Sequence, residues 1–311
     1  MTNIVLSPSI NINEFEKEKS VVIDEIKQQN DQPDEKLFNY FLSRVWKDNN
    51  YGKPILGTEK DVQSLEIVDL EKFHKKFYHK ENFCIAIAGN ISKKIFEENY
   101  EINFNNLDNI ETYQHKEKNE LISISNTGRE EINFKNIEFS RIFMAWNIPS
   151  LKNQRINIGF EILASILSVG RNSRLIKSLK EEKNIVQSIY VEVNSGELGG
   201  LLIIEACCDD KDLKKVEKEI NEVIQEVISF KNLTLNELRK AINIVKSNYI
   251  FNLETSTQLT SFFGNELLWG RKNSIRDLDN HLEYWSHIKN FNEIINYLSR
   301  EKFTLIASKG K

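Results

Sequence analysis

The chain has 311 residues, 40% of them hydrophobic and 28% charged, with a formal net charge of -4 and a pI of about 5.9. That length accommodates two domains of ordinary size. No basic tract dominates, which argues against an electrostatic nucleic-acid binder. No apolar run reaches the length of a membrane span. Met1 to Asn11 shows no basic region followed by an apolar core, so no signal peptide is read and a cytoplasmic setting is expected. Cys84, Cys207 and Cys208 lie in strand-like stretches and are expected to be buried thiols of a reducing compartment, not a disulfide framework or metal site.

Glu14 to Trp46 reads as two helical segments joined by a break at Asn30-Asp31-Gln32-Pro33. Phe15, Val22 and Ile26 fall near one stripe of the first segment. Glu18 and Glu25 project from nearly the same side, two turns apart, on the shoulder of that stripe. Solvated helix carboxylates are the ordinary reading of such a pair, and a metal-facing pair is the sharper one. Pro33 restrains the break, and Asp34 is expected to N-cap the second segment. Leu37, Phe38, Phe41, Leu42 and Val45 give that segment an apolar face.

A turn-rich loop follows over Asn49 to Pro54, and Thr58 is expected to cap a short helix through Leu65. Asp69 to Tyr78 is an amphipathic helix with Leu70, Phe73 and Phe77 inward. Phe83 to Ala88 (FCIAIA) is expected to be a buried strand ending at Gly89. Ser92 to Tyr100 returns to helix, and residues 101–130 read as a polar interdomain linker. Strands are expected at Glu131–Phe139, Arg141–Asn147, Ser188–Asn194, Gly200–Cys208 and Lys302–Ala307. Helices are expected at Gln154–Ser168, Arg174–Glu182, Asp212–Ser229, Leu235–Leu253, Ser256–Trp269, Leu278–His287 and Phe291–Leu298. Lysines in 211–218 alternate with acids, the pattern of a solvated helix face.

The halves of the chain repeat. Laying Asn13-Glu14 on Asn236-Glu237 also lays Lys17 on Lys240, Val22 on Val245 and Trp46 on Trp269. A repeat this long means two similar domains, placed at 1–108 and 120–311. Glu18 and Glu25 meet Ala241 and Asn248, so the carboxylates belong to the first copy alone. The second copy has several strands ahead of its helix pair, and the first has almost nothing before Glu14. Phe83–Ala88 would then lack sheet neighbours, and the helix faces of Glu14–Trp46 would lack cover. The first half is therefore expected to be completed by another chain, or to have lost its N-terminal part.

Three patterns carry a resemblance: EFEKEKSVVIDEI with DQPDE after it; PILGT followed by DLEKFHKKFY and FCIAIAGNI; and SRLIKSLKEEKNIVQSIYVEV. They resemble the insulinase/pitrilysin family of zinc peptidases, which includes the mitochondrial processing peptidase. The resemblance implies an α+β fold of two homologous domains, each a mainly antiparallel sheet packed by helices, the first domain here incomplete. It implies zinc held by an inverted H-x-x-E-H motif and a distant Glu, with the motif Glu activating the metal-bound water. By position Glu25 matches the distant ligand and Glu18 the supporting acidic residue. The motif itself is absent: none of His74, His79, His115, His281 and His287 has a histidine four positions on. His74 and His79 read as ordinary amphipathic-helix residues, since five positions do not place them on one face.

A catalytic zinc site needs about three protein ligands. This chain alone is therefore expected neither to hold zinc nor to hydrolyse peptides. The resemblance also implies an Arg and, seven residues on, a Tyr that hold the substrate carbonyl. Lys180 and Gln187 stand there, which keeps the charge but loses the bidentate fork and the phenol. Three readings follow. The chain is part of a split zinc peptidase acting on extended peptides, with a second peptidase-like chain supplying the missing segment. It is a non-catalytic, peptide-binding partner of an active family member. Or it is the remnant of an interrupted gene.

Overall fold

The computed structural model describes residues 5, 7–47, 49–79, 82–104, 121–123, 126–229, 233–270 and 274–310. In chain order the helices are α1 (Ile12–Asn30), α2 (Pro33–Trp46), α3 (Glu59–Ser64), α4 (Ile67–Phe77), α5 (Lys93–Phe104), α6 (Gln154–Ser168), α7 (Leu213–Ile228), α8 (Leu235–Phe251), α9 (Ser256–Leu268), α10 (Ser274–Trp285) and α11 (Asn292–Leu298). The strands are β1 (Gly128–Phe134), β2 (Ser140–Ile148), β3 (Ser188–Ser195), β4 (Gly200–Cys208) and β5 (Phe303–Lys309). A π-helical segment, Ile176–Glu182, takes the place of the expected α-helix. Most of the expected linker lies outside the described residues.

The chain falls into two compact units: Met1–Asp31 with Pro54–Lys118 and Asn252–Lys272, and Gln32–Lys53 with Asn119–Phe251 and Asn273–Lys311. Each unit therefore contains a helix from the other half of the sequence. Helix α2 belongs to the second unit and α9 to the first.

The second unit is an α+β layer built on one mainly antiparallel sheet, in the order β1–β5–β2–β4–β3. β2 pairs antiparallel with β4 and β5, β3 antiparallel with β4, and β1 parallel with β5. In β2 (SRIFMAWNI) the run from Ile142 to Trp146 is wholly buried, because both faces of the sheet are covered. Ile142, Met144 and Trp146 enter the larger core with Ile158, Leu163 and Leu167 of α6. Gly159 lets Trp285 lie against α6: a Cβ there would meet the indole at 2.6 Å.

Phe143 and Ala145 point the other way, into a second core with Leu201, Ile203, Phe303 and Leu305. Helix α2 closes that core. Its Leu37, Phe41 and Val45 are fully buried, and the Phe41 ring stacks on Phe143 at 4.8 Å between centroids. The expectation that this helix face lacks cover thus fails, because the sheet has a second apolar face that needs a helix. Asp34 is not the N-cap. Gln32 caps, with Pro33 in the first turn, and the Asp34 carboxylate accepts from the Arg141 guanidinium at 2.8 Å.

The first unit contains helices α1, α3, α4, α5 and α9, and no strand among its described residues. Thr58 caps α3 as expected, in a reciprocal box with Asp61. Phe83–Ala88, expected as a strand, forms no ladder among the described residues, because no strand lies beside it to accept or donate. Of the described hydrophobic side chains in this unit, Phe15, Ile26 and Val62 are buried. Val21, Val68, Phe73, Ile87, Ile91, Phe263 and Leu267 are each at least two-fifths exposed.

Truncating Phe41 to Ala removes the ring that fills the second core. We expect a loss of about 3–5 kcal/mol in the second unit. Denaturant unfolding followed by the fluorescence of the buried Trp146 and Trp285 reads it.

Candidate functional site

Glu18 and Glu25 both lie on α1 of the first unit, and both are exposed to solvent. The Asn11 side chain accepts from the Asn13 N–H at the start of this helix, and Lys19 ties it to the end of α3 through Gln63 O and Leu65 O, both at 3.1 Å. Their seven-residue spacing thus survives as a shared helix side, with Phe15 and Ile26 buried beside it. No group of three or more His, Cys, Asp or Glu side chains able to hold a metal exists among the described residues.

The histidines do not mend this. His74 Nε2 lies 2.7 Å from Val5 O, and its ring stacks on Tyr78. His79 is buried and its Nδ1 has no partner among the described residues. His281 is half-buried, and burial lowers its pKa below the ordinary imidazole value. His287 begins the short turn Ile288–Phe291, and His115 lies outside the described residues. Among the described residues Glu25 stands in no cluster of three or more metal-capable side chains, and one carboxylate by itself falls short of a zinc site.

Lys180 and Gln187 lie in the second unit, both exposed. Lys180 rides on the π-helical segment, which Leu179 and the preceding Leu175 anchor in the core. Two carboxylates hold that segment. Glu219 accepts from Ser178 Oγ and pairs with Lys183. Glu237 takes the Arg174 guanidinium through both oxygens, at 3.0 and 3.2 Å, and caps α8 through the Thr234 N–H. Burial alone would raise the pKa of Glu237, but Arg174 and the Thr234 donors outweigh it and leave the carboxyl below its ordinary value. The Gln187 N–H donates to Cys207 O at 2.8 Å, extending the β3–β4 pairing toward Lys180.

A polar cluster that sequence reasoning missed lies beside Gln187. Arg141 of β2 donates to Asp34, to Phe139 O at 3.0 Å and to Cys207 Sγ at 2.8 Å, and lies 3.5 Å from Glu205. Glu205 in turn partners the Tyr190 hydroxyl. Burial raises the Glu205 carboxyl, and burial with Glu205 raises the Tyr190 phenol. Burial also raises the Cys207 thiol and pushes Cys208 up to about 12, so neither is a thiolate nucleophile at neutral pH. Cross-strand register makes the cluster, pairing Arg141 with Cys207 and Tyr190 with Glu205. Alternation along β2, β3 and β4 is its only trace in the sequence.

Because the Glu237 carboxyl titrates lower folded than unfolded, its contribution to stability is full above the unfolded value near 4.5 and is lost as pH falls through the folded one. We expect Glu237→Gln to flatten the acid limb of stability below pH 4.5, read as denaturation midpoints across a pH series.

Comparison with known proteins bears on the family and the fold. The chain is 27% identical over 293 residues to a protein named as an uncharacterized zinc protease of Bacillus subtilis strain 168, a match spanning 94% of this chain and 68% of that one. A second such zinc protease, of Mycobacterium leprae strain TN, is 24% identical over 88% of this chain and 62% of its own. Among solved structures, a peptidase M16 inactive domain from Pseudomonas fluorescens superposes with a TM-score of 0.81 at 13% identity, over 100% of this chain and 74% of that one. A protease from Helicobacter pylori gives 0.79 at 18% identity, over 99% and 75%. A chain of Complex III2 from Candida albicans gives 0.78 at 17% identity, over 99% and 73%. Residues 64–245 match the family described as the peptidase M16 inactive domain. That match spans more than half of the chain, and the chain belongs to the peptidase M16 family.

Proposed function

We propose that this chain is the portion of a zinc peptidase that is inactive alone and works within a split or paired assembly on extended peptides. One observation carries the reading. The first unit keeps the acidic pair Glu18 and Glu25 on an ordered helix, yet it has no strand and no metal-capable cluster among its described residues. Each bare Leu, Ile or Phe forgoes about 1.5–3 kcal/mol of burial. The exposed side chains of this unit therefore favour a complement that covers them. In this reading the domains are 1–108 and 120–311 in sequence, Glu25 contributes one donor to a metal held mainly by another chain, and Glu18 supports it. Lys180 and Gln187 face peptide where relatives use Arg and Tyr, so they bind a carbonyl more weakly.

A second reading has its own support: the chain is a non-catalytic, peptide-binding subunit beside a complete peptidase. Lys180 and Gln187 favour it, as does the likeness to a chain of Complex III2, a multi-subunit setting.

Elemental analysis of the purified chain tests the first reading. We expect less than about 0.1 zinc per chain and no chelator-sensitive cleavage of an unstructured peptide, since one carboxylate falls short of about three ligands. Addition of a family chain bearing H-x-x-E-H but lacking its own Glu25 counterpart is expected to bring zinc to about one per complex. Glu25→Gln should then lower that occupancy. Stoichiometric zinc in the isolated chain, lost on Glu25→Gln, would overturn the proposal.

A further inference from the structure

We infer that the second unit carries a carboxylate-binding pocket at the end of its sheet away from Gln187, and that its ligand is an extended peptide presenting one carboxylate beside apolar side chains. The pocket lies apart from the zinc question, and it rests only on the reading that the chain handles peptides.

Three connections frame it. Strand β2 ends at Ile148, and Pro149, with no N–H to offer a ladder, turns the chain away from the sheet. The Asn153 N–H closes that turn on Ser150 O at 3.0 Å, and the Asn153 side chain then caps α6. The β3–β4 turn comes alongside, with the Leu151 N–H donating to Gly196 O at 2.9 Å. The segment at Ile122 joins them, its N–H donating to Leu198 O at 2.9 Å. Only glycine admits that approach, since a Cβ at Gly199 would meet Ile122 O at 2.5 Å. His281 of α10, Tyr297 of α11 and Arg300 just beyond it complete the wall. The eight residues of β3, roughly 25 Å of extended chain, separate this end of the sheet from Gln187.

Charge says what the pocket takes. The cavity measures about 910 Å³, room for a few residues of extended peptide. Lys152, Arg155, His281 and Arg300 line it, and among the described residues no Asp or Glu does, although the chain as a whole has a net charge of -4. Two of the cations are balanced by carboxylates outside the lining: Lys152 pairs with Glu197 at 2.9 Å and Arg155 with Glu293 at 3.1 Å. Arg300 pairs with no carboxylate among the described residues. Its guanidinium lies 4.4 Å from the centre of the Tyr297 ring, a contact that consumes none of its N–H donors. Burial lowers the pKa of His281, with Asp277 opposing and Arg155 adding to the effect, so the imidazole is neutral at neutral pH.

One cation is therefore left over. A single carboxylate matches it, gripped by two parallel N–H···O bonds from the fork. A di- or triphosphate would leave charge unpaired in the cavity. Leu121, Ile122 and Leu198 give the same cavity an apolar side, which suits a carboxylate carried on hydrophobic residues.

Fluorescence anisotropy on the full chain tests this. The probe is a short, labelled, unstructured peptide ending in Leu-Phe, in three forms: the free acid, the C-terminal amide, and the amide with a Glu placed beside the Phe. We expect the free acid to bind about tenfold or more tighter than the amide. Binding of the Glu form like the free acid marks a site for acidic peptides, and binding like the amide marks one for chain ends; either supports the pocket. Arg300→Gln should erase the advantage of acid over amide with the circular dichroism unchanged, and Arg300→Lys should keep part of it. Lys214→Gln, which removes an exposed charge from α7, should leave it intact. Amide exchange should slow on binding at 151–155 and 197–199, and not at 184–188. No binding of any form, equal affinity for acid and amide, an advantage that survives Arg300→Gln or vanishes with Lys214→Gln, protection at 184–188 in its place, or displacement by inorganic triphosphate below the peptide's own Kd would overturn the inference. Should the pocket bind as expected while every assembly stays free of zinc, the pocket stands and the peptidase reading fails.

Discussion

A sheet has two faces, and each must be taken out of water. In the second unit that requirement accounts for most of what is seen. Helices α6, α7, α8, α10 and α11 seal one face of the five strands, and α2 covers the other, with Ile137, Tyr51 and Ile122 packed beside it. The stacking of Phe41 on Phe143, with Phe303 alongside, is the centre of that second seal. Because both faces are dry, β2 and β4 carry few polar residues: Ser140, Arg141 and Asn147 in β2 and Glu205 in β4. Of these, Arg141 and Glu205 are satisfied by each other, by Asp34 and by Tyr190.

The first unit, with no strand among its described residues, shows helices without a sheet to cover them. Its helices form where capping and periodicity dictate: α3 between Thr58 and Ser64, and α1 with its Asn11 cap. Their apolar stripes then find little to press against. Helix α4 has no fully buried residue, although its sequence is strongly two-sided. Local rules suffice to shape helices, but only a partner surface converts an apolar stripe into a core.

Much of this was legible in the sequence, for identifiable reasons. Helix α6 runs over the expected residues because Asn153 precedes an unbroken apolar pattern. Strands β3 and β4 match because turn residues bracket them at Gly196 and Gly199. Phe83–Ala88 forms no ladder among the described residues, because composition reports a preference for burial while a strand also needs neighbours with free donors and acceptors. Asp34 lies inside the helix rather than at its cap, because Pro33 marks the first helical turn and moves the cap position to Gln32. At the site, the seven-residue spacing of Glu18 and Glu25 and of Lys180 and Gln187 could be read directly. The Arg141 cluster could not, since it exists only through strand register, and neither could the exchange of α2 and α9 between units.

That exchange bears on how the polypeptide would withstand being cut. The chain passes between the units at 31–32, 53–54, 251–252 and 272–273 as well as at 118–119, in the stretch between α5 and β1, so the two are joined at several points. A nick in that stretch would sever the chain into two pieces without parting them. The N-terminal piece would still own α2, clasped against the sheet of its sibling, and the C-terminal piece would still own α9. Such a molecule would pass as intact on a sizing column and reveal its wound only under denaturant.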